Sequence, residues 1–355
     1  MFKKFKPCIL AAALLFLLLT FVGCSEAPDY SDVNGETAWS FDEATGELTI
    51  TGKGNMDDYT VYNSGDLNVA SVDDRPWKDH VRSIKRVTLE KGVTSVGNHA
   101  FEGCVNLTEV SLPDSLVRIG KHAFFNTCIV SIAIPKGVTR IEDDAFRFSK
   151  LERITFHKNS ALTFIGEGVF SSCAKLSSIE VPAGVTEIGA VAFGYNHSLT
   201  SVTLPTGLTK ISSHLFAHCD ALESVSIPAN VTEIERGAFE DCDRLNAIVI
   251  PDKVTAIGER AFDRCPALTE IDLPASLTTI GQYAFEECTA LKRVTVAKGS
   301  RLETIREQAF YGCTALEEFV LPEDVRPKNV SQDAFWCCPK LDDDFIFRDT
   351  STDEP

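Results

Sequence analysis

Basic residues are scarce in this chain of 355 residues: 34 Lys and Arg stand against 51 Asp and Glu, a formal charge of −17. Nucleic-acid binding draws on clustered positive charge, so that function class is excluded. The acidic residues are scattered, not blocked, which reads as a solvated, self-repelling surface. Catalytic signatures are missing too. There is no GxSxG, HExxH, phosphate-cradling glycine loop or dinucleotide fingerprint. The acid-rich stretches "IEDDAF" and "LDDDF" lack the spacing of a calcium loop. Paired carboxylates of the glycosidase kind are singled out nowhere. The apolar run at the start, Ile9 to Val22, is shorter than the roughly 20 residues a bilayer-spanning helix needs.

What is present begins with that run. Lys3, Lys4 and Lys6 precede it, the layout of a secretory signal peptide. "TFVGCS" follows and resembles a bacterial lipobox, with Phe21 where leucine is more usual. Cleavage before Cys24 and lipidation of its thiol are therefore expected, which would hold the protein at a membrane surface. Ser25 after the lipidated position favours the outer membrane, by resemblance to Gram-negative sorting. The expected divisions are 1–23 signal peptide, 24–35 tether, 36–90 N-terminal β cap, 91–341 solenoid and 342–355 acidic tail.

The main signal is a period. Phenylalanine recurs at Phe101, Phe124, Phe146, Phe170, Phe193, Phe216, Phe239, Phe262, Phe285, Phe310 and Phe335, at intervals of 22 to 25 residues. Such self-similarity marks a solenoid. Each unit carries a short alternating run such as "LTEIDLP", the pattern of a strand with one buried face. Proline closes it at Pro113, Pro135, Pro182, Pro205, Pro228, Pro251, Pro274 and Pro322, because a residue without N–H ends a ladder. A second apolar stretch, "VTAIG", ends in glycine. Glu142, Ser212, Glu235 and Arg306 take that place in other units, so a positive φ is not required there. A unit of this size cannot bury its own apolar face, but stacked copies can, over a length on the order of 50 Å. The phenylalanines read as a structural ladder, with the hairpin around "DEATG" covering one open end.

The phrase AFxxCxxLxxIxLPxxVTxIG, repeated from Trp77 to Leu341, resembles the BspA-type (Treponema-type) leucine-rich repeat of bacterial surface proteins. Departures are local: Val169 and Leu215 replace alanine, Ser149 and Asn196 replace cysteine, His157 and Ala297 replace proline. The resemblance implies a mostly β repeat solenoid, a right-handed arc of about eleven coils with a parallel concave sheet. It also implies a cell-surface role in protein–protein binding or adhesion, with a host or neighbouring-cell protein as partner and no cofactor.

Most cysteines lie three residues after a ladder phenylalanine, Cys219, Cys242, Cys265 and Cys288 among them. Stacked neighbours would have parallel Cβ vectors about 4.8 Å apart, too far for the roughly 3.8 Å of a disulfide. Asn196 and Ser149 share the slot, so a small buried group that hydrogen-bonds the turn backbone is expected. A ladder does not converge as a zinc site must. His99 and His122 should stack on adjacent coils with Asp144 on the next rung, but two imidazoles alone fall short of a metal site, and a solvated edge pair is expected. His218 beside Cys219 resembles a catalytic Cys–His pair in sequence only. No catalytic residue and no metal site are expected.

Binding would use the outward strand positions: Arg86, Glu109, Arg153, Thr155, Glu180, Thr203, Ser224, Ser226, Val249, Glu270, Asp272, Arg293 and Glu318. Taken with Thr88, Ser111, Ser131, Ala133, Ser178, Ser201, Ala247, Thr295 and Val320, which complete the outward set, the face is mostly small or hydroxyl-bearing and includes no aromatic residue. Glycan capture, or a spacer without a ligand of its own, stays open beside protein binding.

Overall fold

The computed structural model describes residues 37–62 and 72–342. The expected signal peptide, Cys24, the tether and residues 343–355 of the acidic tail lie outside the described residues. Among the described residues no helix is long and apolar enough to cross a membrane.

The chain is a β-solenoid of about eleven coils. Thr37–Asp42 and Glu47–Gly52 form an antiparallel hairpin, and the second of these strands pairs in parallel with Arg86–Leu89 of the first coil. Along the stack the first strand of each coil lies in parallel register with the next, as in Arg86↔Glu109, Ser131↔Arg153, Ser178↔Ser201 and Glu270↔Arg293↔Glu318. Alternation sets the faces: in Ser131–Ile134 the even-numbered residues, Ile132 and Ile134, are buried and the odd-numbered ones exposed. Hydrogen bonding on this side comes in separate runs of two to four strands, not one unbroken sheet. The second strands, such as Arg118–Ile119 and Glu187–Ile188, assemble into two six-stranded parallel sheets. Between the two strands the closing proline opens a turn: Pro113, Pro182 and Pro251 each accept a bond from the backbone N–H three residues on.

The third side of each coil is a chain of turns from which every ladder phenylalanine points inward. Its backbone alternates its bonds. Phe101 N donates to Ala123 O of the next coil at 2.9 Å, while Glu102 N donates back to His99 O in its own coil. The alternation places left-handed residues two before and two after the phenylalanine, seventeen of the twenty-one non-glycine, including His99, His122, Asp144, Val191, Arg260 and Tyr283 before it. Val191, at φ 58°, is the strained member, since β-branched side chains crowd this region. Gly168 and Gly237 fill the same place in other coils. Val191→Gly is therefore expected to gain about 0.5–1 kcal/mol, the relief of left-handed strain less glycine's greater chain entropy, read as a higher urea midpoint.

The glycines that end the second strand have no positive φ, in keeping with their replacement elsewhere. Close approach explains them. A Cβ on Gly189 would lie 2.4 Å from Glu167 N, and one on Gly281 would lie 2.5 Å from Gly258 C. Where Ser212 replaces glycine, its hydroxyl donates to Ile188 O of the coil before.

The phenylalanine rings from Phe101 to Phe310 are fully buried. Successive centroids from Phe101 to Phe335 are 5.0 to 6.1 Å apart, and the planes are nearly parallel. Trp77 heads the ladder, stacked on Phe101 at 5.7 Å and capped edge-on by Trp39 and Tyr59. Its indole N–H finds Ala100 O at 2.9 Å, so this end of the core closes without an orphaned donor. At the other end Phe319 stands edge-on to both Phe310 and Phe335.

Candidate functional site: the strand face and its flanking turns

The outward strand positions all lie exposed on one side of the stack: Arg86, Glu109, Arg153, Thr155, Glu180, Thr203, Ser224, Ser226, Val249, Glu270, Asp272, Arg293 and Glu318. Register places opposite charges on neighbouring rungs. Arg86 reaches Glu109 at 2.7 Å and Arg293 reaches Glu318 at 2.9 Å. Both pairs are solvated, so each is worth little to stability and its groups stay available to a partner. Arg153 lies in a shallow depression with Glu152, Lys175, Ser178 and Glu180. Val249, 80% exposed, is the most exposed large apolar residue of the face, with Val320 at 40%.

The cysteine slot is a hydrogen-bonding position. Cys219, Cys242, Cys265 and Cys288 each donate Sγ–H to the carbonyl of the preceding coil's phenylalanine, at 3.1 to 3.2 Å. Asn196 does the same with its amide and also serves its own Phe193 O. Ser149 Oγ lies 3.2 Å from Cys173 Sγ. In the coil of Phe124 the slot falls on Thr127, whose hydroxyl donates to Phe124 O, leaving Cys128 beside it half-buried. All ten described cysteines are free. Burial pushes the Cys219 thiol up to about 12. His218 turns elsewhere, stacking on Tyr195 and meeting Asp241 at 3.4 Å, so the adjacent pair forms no nucleophile–base contact.

On the flanking turns, charged side chains form two clusters. Sequence reasoning placed His99 and His122 on adjacent rungs, and their rings are 4.8 Å apart. They are not a solvated edge pair, however. Both are half-buried because Glu102 lies between them, 2.5 Å from His99 Nδ1 and 3.5 Å from His122 Nδ1. Asp144 meets His122 Nε2 from the far side at 3.3 Å. Asp144 first and Glu102 second draw the His122 imidazole up to about 9, against the opposing effect of burial. Burial raises Glu102, but the two histidines more than offset it and bring the carboxyl to about 2. Glu102 escaped notice in the sequence, where the only trace is an H-x-x-E spacing.

The second cluster centres on Asp263, which is fully buried. Arg260 and Arg264 both hold its Oδ2, at 2.6 and 2.9 Å, while Oδ1 has no partner. Burial pushes this carboxyl up to about 6 despite the arginines. Burial lowers the Arg260 pKa, but the contact with Asp263 more than offsets it, whereas Arg264 is raised first by Asp241 and then by Asp263. The buried carboxylate governs the balance, because Arg260 keeps Glu286 and Arg264 keeps Glu240 and Asp241 as other partners.

Repeat phrase, coil geometry and core together define a leucine-rich-repeat solenoid. The family model described as "BspA type Leucine rich repeat region (6 copies)" matches residues 79–200, 128–246 and 232–352, and the chain belongs to that family. Its fold is similar to a leucine-rich repeat protein from Bacteroides ovatus, with TM-score 0.57, 23% identity and coverage of 88% of this chain and 81% of that one. A leucine-rich repeat protein from Eubacterium ventriosum gives TM-score 0.50 at 22% identity, covering 86% and 93%. No curated protein matches the chain.

Proposed function

We propose that the chain is a non-catalytic binding module of the bacterial cell surface, anchored by lipid on Cys24 in the outer membrane, which takes a protein partner along its strand face in adhesion. The observation that carries this reading is the row of exposed side chains from Arg86 to Glu318, held in register by the stacked strands. A rigid stack presents such a row with little ordering cost, the usual advantage of repeat proteins as binders. Family membership supports a protein-binding role. Stacking aromatics, which sugar sites commonly use, are missing from these positions, which weighs against glycan capture.

The test is surface plasmon resonance on immobilised extracellular-matrix proteins and whole-cell surface extracts. Binding is expected, and charge reversal at Arg153 and Arg293 together should weaken it at least tenfold with the unfolding midpoint unchanged. Retention on polysaccharide gels in place of protein binding would replace this reading with glycan capture. Silence on both panels would leave a spacer.

A further inference from the structure

The left-handed position two residues before the ladder phenylalanine carries histidine on two consecutive coils, and the structure turns both toward one carboxylate. His99, Glu102 and His122 each offer one ligand atom, all within 4.8 Å of one another, and Nδ1 of both histidines faces Glu102 Oε2. Zinc with bonds of about 2.0–2.2 Å holds tetrahedral ligand atoms roughly 3.4 Å apart, so the His122–Glu102 separation of 3.5 Å already suits it. The shorter His99–Glu102 contact is a hydrogen bond that an ion would replace. A separate observation points the same way: His122 Nδ1 is buried and has no hydrogen-bond partner. Buried polar atoms are ordinarily satisfied, and this one faces Glu102 Oε2 at 3.5 Å without hydrogen bonding to it.

The surroundings are also those of a metal centre. His122 presents its other nitrogen, Nε2, to Asp144, the carboxylate-behind-imidazole arrangement that orients metal-ligating histidines and raises their basicity. Asp144 is in turn held by Arg147 at 3.2 Å. Arg75, itself buried and paired with Asp73, donates to the carbonyls of His99 and Glu102. The turn bearing two of the three ligands is thus fixed in advance.

We propose that His99, Glu102 and His122 bind one divalent transition-metal ion of the borderline class, zinc foremost, with a coordination position left open to solvent. Two imidazoles and one carboxylate select such an ion over calcium or magnesium, which prefer oxygen ligands.

The experiment is isothermal titration of zinc chloride into the purified, chelator-stripped chain. One ion per chain is expected. Glu102→Gln, nearly isosteric and so least disturbing to the fold, should weaken binding at least tenfold, as should His122→Ala. Asp144→Asn, which removes no ligand, should weaken it 10- to 100-fold. His197→Ala, at the exposed His197–Asp220 pair, should leave it unchanged. A rise in thermal midpoint on adding zinc, lost in Glu102→Gln, gives a second readout. No zinc heat in the parent chain, or equal affinity in Glu102→Gln and His122→Ala, would overturn the proposal and leave an ion-pair ladder. Calcium binding as tight as zinc would overturn the ligand assignment.

Discussion

Replacing Phe239 with Asp is expected to destabilise the chain by about 5 kcal/mol or more, enough to unfold the middle of the stack. The ring is fully buried between Phe216 and Phe262, at 5.3 and 5.2 Å, so the substitution removes contacts on two sides and strands a carboxylate among rings. Phe335→Asp should cost much less. Phe335 is half-buried and stacks on Phe310 from one side, and its carboxylate replacement would keep access to water. Urea denaturation followed by circular dichroism compares the two, and equal midpoints would contradict a shared, continuous core.

The second large effect concerns Asn196. Its amide donates to Phe170 O and Phe193 O, at 3.0 and 2.8 Å, inside a fully buried site. Asn196→Leu removes both bonds and should cost about 2–4 kcal/mol. Asn196→Cys restores the residue found at this slot in most coils, with a thiol able to reach Phe170 O, and should cost about 1 kcal/mol. The same denaturation series reads both. A cysteine variant as weak as the leucine one would mean that the slot selects size and not hydrogen bonding.

Much of this architecture was legible because it depends on period. A phenylalanine every 22 to 25 residues fixes the stack, and the exchange of cysteine for asparagine or serine showed the chemistry of the slot, since those residues share a small volume and a donor. The left-handed turn residues gave no such signal. His, Asp, Val, Arg, Tyr and Gln all occupy them, because the fold imposes the conformation through bonds to the next coil and not through local preference. The role of the strand-ending glycines was read only halfway: substitution showed that φ was unconstrained, but the approach of a neighbouring backbone is not written in one coil. Glu102 was missed for a related reason. Its partner His122 lies on another coil, and only the stacking register brings the two together.

The central claim, that successive coils are interchangeable layers over one interior, is tested most directly by deletion of a whole coil. Removing Phe239–Ala261 joins Ala238 to Phe262 and restores the Ala-Phe pair with every remaining coil in phase. Equilibrium unfolding should stay cooperative, with stability lowered only modestly, as neighbour-by-neighbour energetics require. Removing half as many residues from the same place should abolish the folded transition. Equal damage from the two deletions would contradict the layered account.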